Sequence, residues 1–238
     1  MPPPTELDAA RPDPRAYSPH GRGLRAAFAG ALSLLIPTWC AGCDLPGVEL
    51  CGACRALLMP RPRSSLLSDG TPLTTALQFD GVPASVIRAL KEDGRTGLAR
   101  PLGTALGDAL EHGLGRVPGG AGAGGVAVAP VPASRAAIRR RGYSVVEVLL
   151  RGAGVRPVRL LAPGRAAGDQ RRLGRGERAR NVVGTMRVRA STALPVVVVD
   201  DVVTTGATLG EAVAVLRAAG VEVVGAVALA ATPRRLRR

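Results

Sequence analysis

The chain predicts an α/β protein: a parallel sheet flanked by helices, with a small four-cysteine module near its N-terminus. Three observations carry this. The run Val196-Val197-Val198-Val199 is continuously apolar and β-branched, as in a strand buried on both faces of a parallel sheet. Short apolar runs alternate with helical spacings from about residue 98 to 230. All four cysteines fall within fifteen residues, as Cys40-Ala-Gly-Cys43 and Cys51-Gly-Ala-Cys54.

Taken in order, Met1 to Gly23 is Pro-rich and polar without periodicity, so a disordered tail is expected over 1–23. Leu24 to Ile36 is an apolar segment that stops at Pro37. It is shorter than the roughly 20 residues needed to cross a bilayer. It also follows a long Pro-containing stretch rather than a short basic region, so a packing helix is expected in place of a signal peptide, and the protein is expected to be cytoplasmic. This helix and the cysteine module make a first unit, 24–62, before a main domain over 63–238. An Arg/Pro/Ser linker is expected near 60–70. Residues 98–114 have helical spacing, and Pro118 to Gly125 is a Gly/Ala loop. Val126 to Val131 predicts a second buried strand, followed by a helix over 144–152 and a short strand near 158–161. The strand at 196, a helix over 207–219 and a strand over 221–230 complete the alternation.

The 238 residues suffice for one α/β domain and an accessory module, and 46% apolar content excludes a wholly disordered chain. The formal charge is +14, and Lys91 is the only lysine among 32 basic residues. That charge favours an anionic partner. Five aromatics (Tyr17, Phe28, Trp39, Phe79 and Tyr143) leave little for stacking on bases, so a phosphate contact is the simpler expectation.

The strand at 196 ends in Asp200-Asp201, followed by Val-Val and then Thr204-Thr205-Gly206-Ala207-Thr208. In open α/β sheets ligands sit beyond the carboxyl ends of the strands. Adjacent carboxylates are costly to bury unpaired, and hydroxyl donors or a divalent cation would satisfy both. A ribose diol offers two such hydroxyls. Gly206 permits close backbone approach, and the amides of the following helix N-terminus with three Thr hydroxyls would cradle a phosphate. A bare Asp pair would read as turn and helix caps; the whole order points to a sugar phosphate. Past Val131, Arg135 and Arg139-Arg140-Arg141 lie at the carboxyl edge of a second strand, where guanidinium groups could bind pyrophosphate. Residues 163–181 are rich in Arg and Gly, as in a loop that closes over an anion or a nucleic-acid-binding arm.

Two C-x-x-C pairs can place four thiolates around one Zn²⁺, with Gly42 and Gly52 beside them. A disulfide framework fits poorly without an export signal, and a redox motif would need only one pair. The expected role is structural.

Residues 199–208 resemble the 5-phosphoribosyl-1-pyrophosphate (PRPP) loop of the type I phosphoribosyltransferases. With Cys40, Cys43, Cys51 and Cys54; Leu90-Lys91 and Gly94; Pro130-Val131-Pro132; Arg141-Gly142-Tyr143; and Gln170, Leu173, Arg178 and Asn181, the chain is similar to the ComF family. It departs at Ser144-Val145, where that family has Asn-Gln, and in Lys-Glu-Asp-Gly, where an aromatic commonly follows the lysine. The resemblance implies a type I phosphoribosyltransferase fold. Asp200 and Asp201 would hold the ribose hydroxyls; Thr204, Thr205, Gly206, Ala207 and Thr208 would hold the 5′-phosphate. It implies Mg²⁺ with the pyrophosphate, a flexible loop bearing Gln170, Arg178 and Asn181, and an acceptor chosen by a hood whose place in the chain the zinc module occupies. It equally implies a non-catalytic alternative, an accessory of DNA uptake in competence that contacts single-stranded DNA or a helicase-like partner.

Overall fold

The computed structural model describes residues 38–115, 125–164 and 185–233. The expected tail over 1–23, the helix over Leu24 to Ile36, most of the Gly/Ala loop, and Gln170, Arg178 and Asn181 lie outside them. In chain order the elements are α1 (Gly52–Ala56), β1 (Arg63–Leu66), β2 (Pro72–Gln78), α2 (Gly81–Glu92), α3 (Ala99–Leu114), β3 (Ala127–Pro130), α4 (Arg135–Arg141), α5 (Val145–Gly152), β4 (Leu161–Pro163), β5 (Met186–Val188), β6 (Val196–Val203), α6 (Ala207–Ala218) and β7 (Val223–Ala231).

The central sheet runs β1-β2-β7-β6-β3. β2, β7, β6 and β3 are mutually parallel, and β1 joins the edge antiparallel to β2. Their carboxyl ends therefore share one edge of the sheet. The alternation of strand side chains divides the core in two. On one face Val197, Val199, Val227 and Leu229 pack with Ile87 and Leu90 of α2, Leu102 and Leu106 of α3, and Leu149 and Leu150 of α5. On the other, Val196, Val198, Ala226 and Ala228 pack with Leu209, Val213 and Leu216 of α6 and with Leu160 and Leu161. α3 and α5 touch through glycine: a Cβ on Gly103 would lie 2.5 Å from the Gly152 carbonyl carbon and 2.6 Å from the Leu149 oxygen.

Two sequence expectations change. The linker near 60–70 contains β1, whose Arg63 to Leu66 pair with Thr75 to Pro72. The strand near 158–161 does not enter the central sheet. Val158 N–H donates once to Val128 O (2.8 Å), and then Leu160 N–H turns back onto Val158 O (3.0 Å). Pro157, which has no N–H, prevents a ladder from forming there. The chain instead pairs one step later, β4 antiparallel to β5 in a separate two-stranded sheet.

Candidate functional site

β6 is longer than its apolar run. Its ladder with β7 continues through Asp200↔Ala228 to Val203↔Ala231, so both aspartates belong to the strand rather than to the loop beyond it. Thr232 closes the ladder, donating both its N–H and its hydroxyl to Val203 O at 3.0 Å.

The two carboxylates are held differently. Asp201 N–H donates to Asp200 Oδ1 at 2.8 Å. Burial first, and then the charge of Asp201, push the Asp200 carboxyl up to about 7, against the opposing pull of that N–H and of Lys91. Asp201 has a full counter-ion: Lys91 Nζ lies 2.9 Å from its Oδ2. Lys91 stands in the last turn of α2, and Tyr143 Oη donates to the neighbouring Leu90 O. Composition and spacing gave no reason to join Lys91 to the aspartates. The signal that could have done so was its being the only lysine in an arginine-rich chain.

Past Val203 the backbone bends through Thr204 and Thr205 to Gly206, which takes the left-handed conformation (φ 81°) at the N-cap of α6. Thr204, Thr205 and Thr208 are exposed, while Gly206 and Ala207 are half-buried. Thr205 Oγ1 accepts from Ala207 N–H at 3.3 Å, and the N-cap residue, Gly206, has no side chain to cap the rest of the turn. The other first-turn amides have no partner inside the helix. Exposed hydroxyls and outward amides at one helix start suit an anion.

Val131 N–H donates to Val199 O at 2.8 Å, which places the end of β3 directly beside Asp200. Ser134 then caps α4, its Oγ accepting from Ala137 N–H at 3.1 Å. The expected basic turn is thus a short helix. Arg135, Arg139 and Arg140 are exposed; Arg141 is half-buried, with its Nε buried and lacking a hydrogen-bond partner. No ion pair joins these arginines to the aspartates among the described residues. The structure brings the two strand ends together, and with them the aspartates, the Thr/Gly bend and the start of α4.

The four cysteine sulfurs all lie within 4.8 Å of one another. Cys43 Sγ and Cys51 Sγ are 3.7 Å apart. Tetrahedral Zn–S bonds of about 2.3 Å would set sulfurs about 3.8 Å apart, so the cluster could hold zinc. Backbone N–H groups point at the sulfurs: Cys51 N–H at Cys40 Sγ and Cys54 N–H at Cys51 Sγ, both at 3.4 Å. Burial opposes ionisation of Cys40, but the amides of Cys51, Gly42 and Cys43 prevail and bring its thiol down to about 6. Gly42 is required, because a Cβ there would meet Cys54 Sγ at 2.7 Å and Val82 Cγ1 at 2.8 Å. Arg95, in the loop after α2, ties down the cysteine segment: its Nη2 donates to Trp39 O (2.7 Å) and Glu49 O (2.8 Å). Leu58 is buried in the same core as α2. Beside it, a cleft of about 450 Å³ is lined by Leu57, Met59, Arg61, Arg63, Gln78 and Asp80. No helix among the described residues is long and apolar enough to cross a membrane.

Residues 181–238 match the family model described as phosphoribosyl transferase domain. The match covers β5, β6, the Thr/Gly bend, α6 and β7. No curated protein matches the chain. The match, the mostly parallel sheet and the cysteine cluster together support a phosphoribosyltransferase-like protein with an N-terminal four-cysteine cluster that could hold a metal.

Proposed function

We propose that the chain binds PRPP and transfers its phosphoribosyl group to an acceptor, as a ComF-type protein with a structural zinc. One observation carries this reading: Asp200 and Asp201 lie near the carboxyl end of a parallel strand, just before a helix start with a left-handed glycine and beside a strand that leads into an arginine-rich helix. In the reaction the acceptor forms a bond to the anomeric carbon as the bond from that carbon to pyrophosphate breaks. Charge grows positive on the ribose and negative on the leaving group. Asp200 and Asp201 hold the ribose hydroxyls, and Thr204, Thr205, Gly206, Ala207 and Thr208 take the 5′-phosphate. Arg135, Arg139, Arg140 and Arg141 face the pyrophosphate, where Mg²⁺ carried by the ligand would offset part of its charge. Cys40, Cys43, Cys51 and Cys54 would bind zinc and fix the module without entering the chemistry.

Calorimetric titration with PRPP, with and without Mg²⁺, tests this. Saturable binding that is lost in Asp200→Asn/Asp201→Asn supports it, and no binding by the wild type sinks it. The exposed arginines of α4 favour a second reading, nucleic-acid binding in DNA uptake. That binding would fall steeply with salt and survive the double Asp substitution.

A further inference from the structure

The counter-charge of the aspartate pair comes from a distant part of the sheet. α2 begins just past the end of β2, and β7 separates β2 from β6. Its twelve residues span about 18 Å at 1.5 Å each, against about 10 Å for two strand spacings. Its last turn can therefore cross β7 and deliver Lys91 to Asp201. The pair is not an ordinary surface contact, since the side chain of Asp201 is only 14% exposed and that of Lys91 26%. The α2 end is already secured by the fully buried Leu90 and by Tyr143 on the Leu90 carbonyl.

A vicinal diol is neutral. If two adjacent carboxylates are to accept its hydroxyls in ionised form, the compensating charge must reside in the protein. The charged groups that act on Asp200 are Asp201 and Lys91. Opposite, β7 contributes Ala228 and Ala230, and Val131, just past β3, lies beside the pair.

We propose that Lys91 is a positioning residue of this site: its ammonium fixes the Asp201 carboxylate and supplies the counter-charge that two adjacent carboxyl groups need when they turn to a sugar diol. The inference rests on the sugar-phosphate reading above. It also separates the two partners that adjacent carboxylates admit, because a resident cation suits a neutral diol and competes with a divalent metal.

The test uses the full chain and the variants Lys91→Met, Lys91→Gln, Lys91→Arg, Asp201→Asn and Lys91→Met/Asp201→Asn. Lys91→Met is expected to weaken PRPP binding by about tenfold or more, less than the loss at a wholly buried pair because both side chains keep some exposure. Lys91→Arg retains most of the affinity, and the double variant binds no worse than Asp201→Asn alone. A pair that only secures α2 would lower the melting temperature and leave affinity unchanged below it, which would overturn the proposal. Should Lys91→Met fail to fold, Lys91→Gln takes its place. A second readout needs no ligand: carboxyl-carbon NMR titration of Asp200. Proton uptake by Asp200 at a higher pH in the Lys91 variant is expected, because the attraction that lowers its carboxyl is gone. An unchanged titration refutes the role of Lys91 even if the wild type binds PRPP, whereas a shifted titration without PRPP binding refutes only the choice of ligand.

Discussion

Replacing Asp200 by Asn should make the protein more stable while removing its proposed function. The folded carboxyl is raised from 3.8 to about 7, chiefly by burial and then by Asp201. Because the folded value exceeds the unfolded one, ionisation opposes folding. The cost is absent at pH well below 4, where both states are protonated. It accumulates as pH rises and is complete above about 7. A shift of about three units corresponds to about 4 kcal/mol at 1.4 kcal/mol per unit. An asparagine of the same shape carries no such cost and can keep an acceptor for the Asp201 N–H. Urea denaturation of both proteins at pH 4, 6 and 8 is the assay. The variant should lie within about 1 kcal/mol of wild type at pH 4 and be more stable by up to about 4 kcal/mol at pH 8. A variant that is no more stable at pH 8, or a difference that does not grow between pH 4 and 8, would refute the claim that Asp200 is held against its own charge.

Three further outcomes follow from close contacts. Gly206→Ala forces a side chain into the left-handed region and within 2.9 Å of Leu67 Cδ2, which should cost about 1–2 kcal/mol and weaken phosphate binding at the start of α6; chemical denaturation and PRPP titration measure the two effects. Gly103→Ala drives a methyl into the α5 backbone and should destabilise by about 1–3 kcal/mol or more, with a lower melting temperature as readout. Cys40→Ser should abolish the single bound zinc expected of purified protein and expose the module to limited proteolysis, checked by elemental analysis and by cleavage between residues 38 and 62.

The sheet was largely legible because Val196 to Val199 and Val126 to Val131 are apolar on both faces, which only a doubly covered strand tolerates. The cysteine module was legible from spacing alone, since two C-x-x-C turns close over few conformations. β1 escaped because Arg63 to Leu66 lie exposed at an edge, where no burial imprints a pattern. The displaced β4 escaped because a lone backbone bond from Val158 to Val128 leaves no trace in side-chain type. Asp200 and Asp201 were legible as residues but not as a charge arrangement. Lys91 lies more than a hundred positions away, and only the path of α2 across the sheet brings it to Asp201.

The position of β7 constrains the order in which the molecule can be made. It is the last of the described strands, yet it stands between β2 and β6 at the middle of the sheet. Leu73 to Gln78 pair with Ala226 to Ala231, so the central ladder joins segments some 150 residues apart. During synthesis β2 and β6 must each wait with an unpaired parallel edge until β7 leaves the ribosome. A premature stop before Val223 would therefore leave two half-sheets rather than a shortened domain, and chaperone dependence is expected to concentrate in that interval.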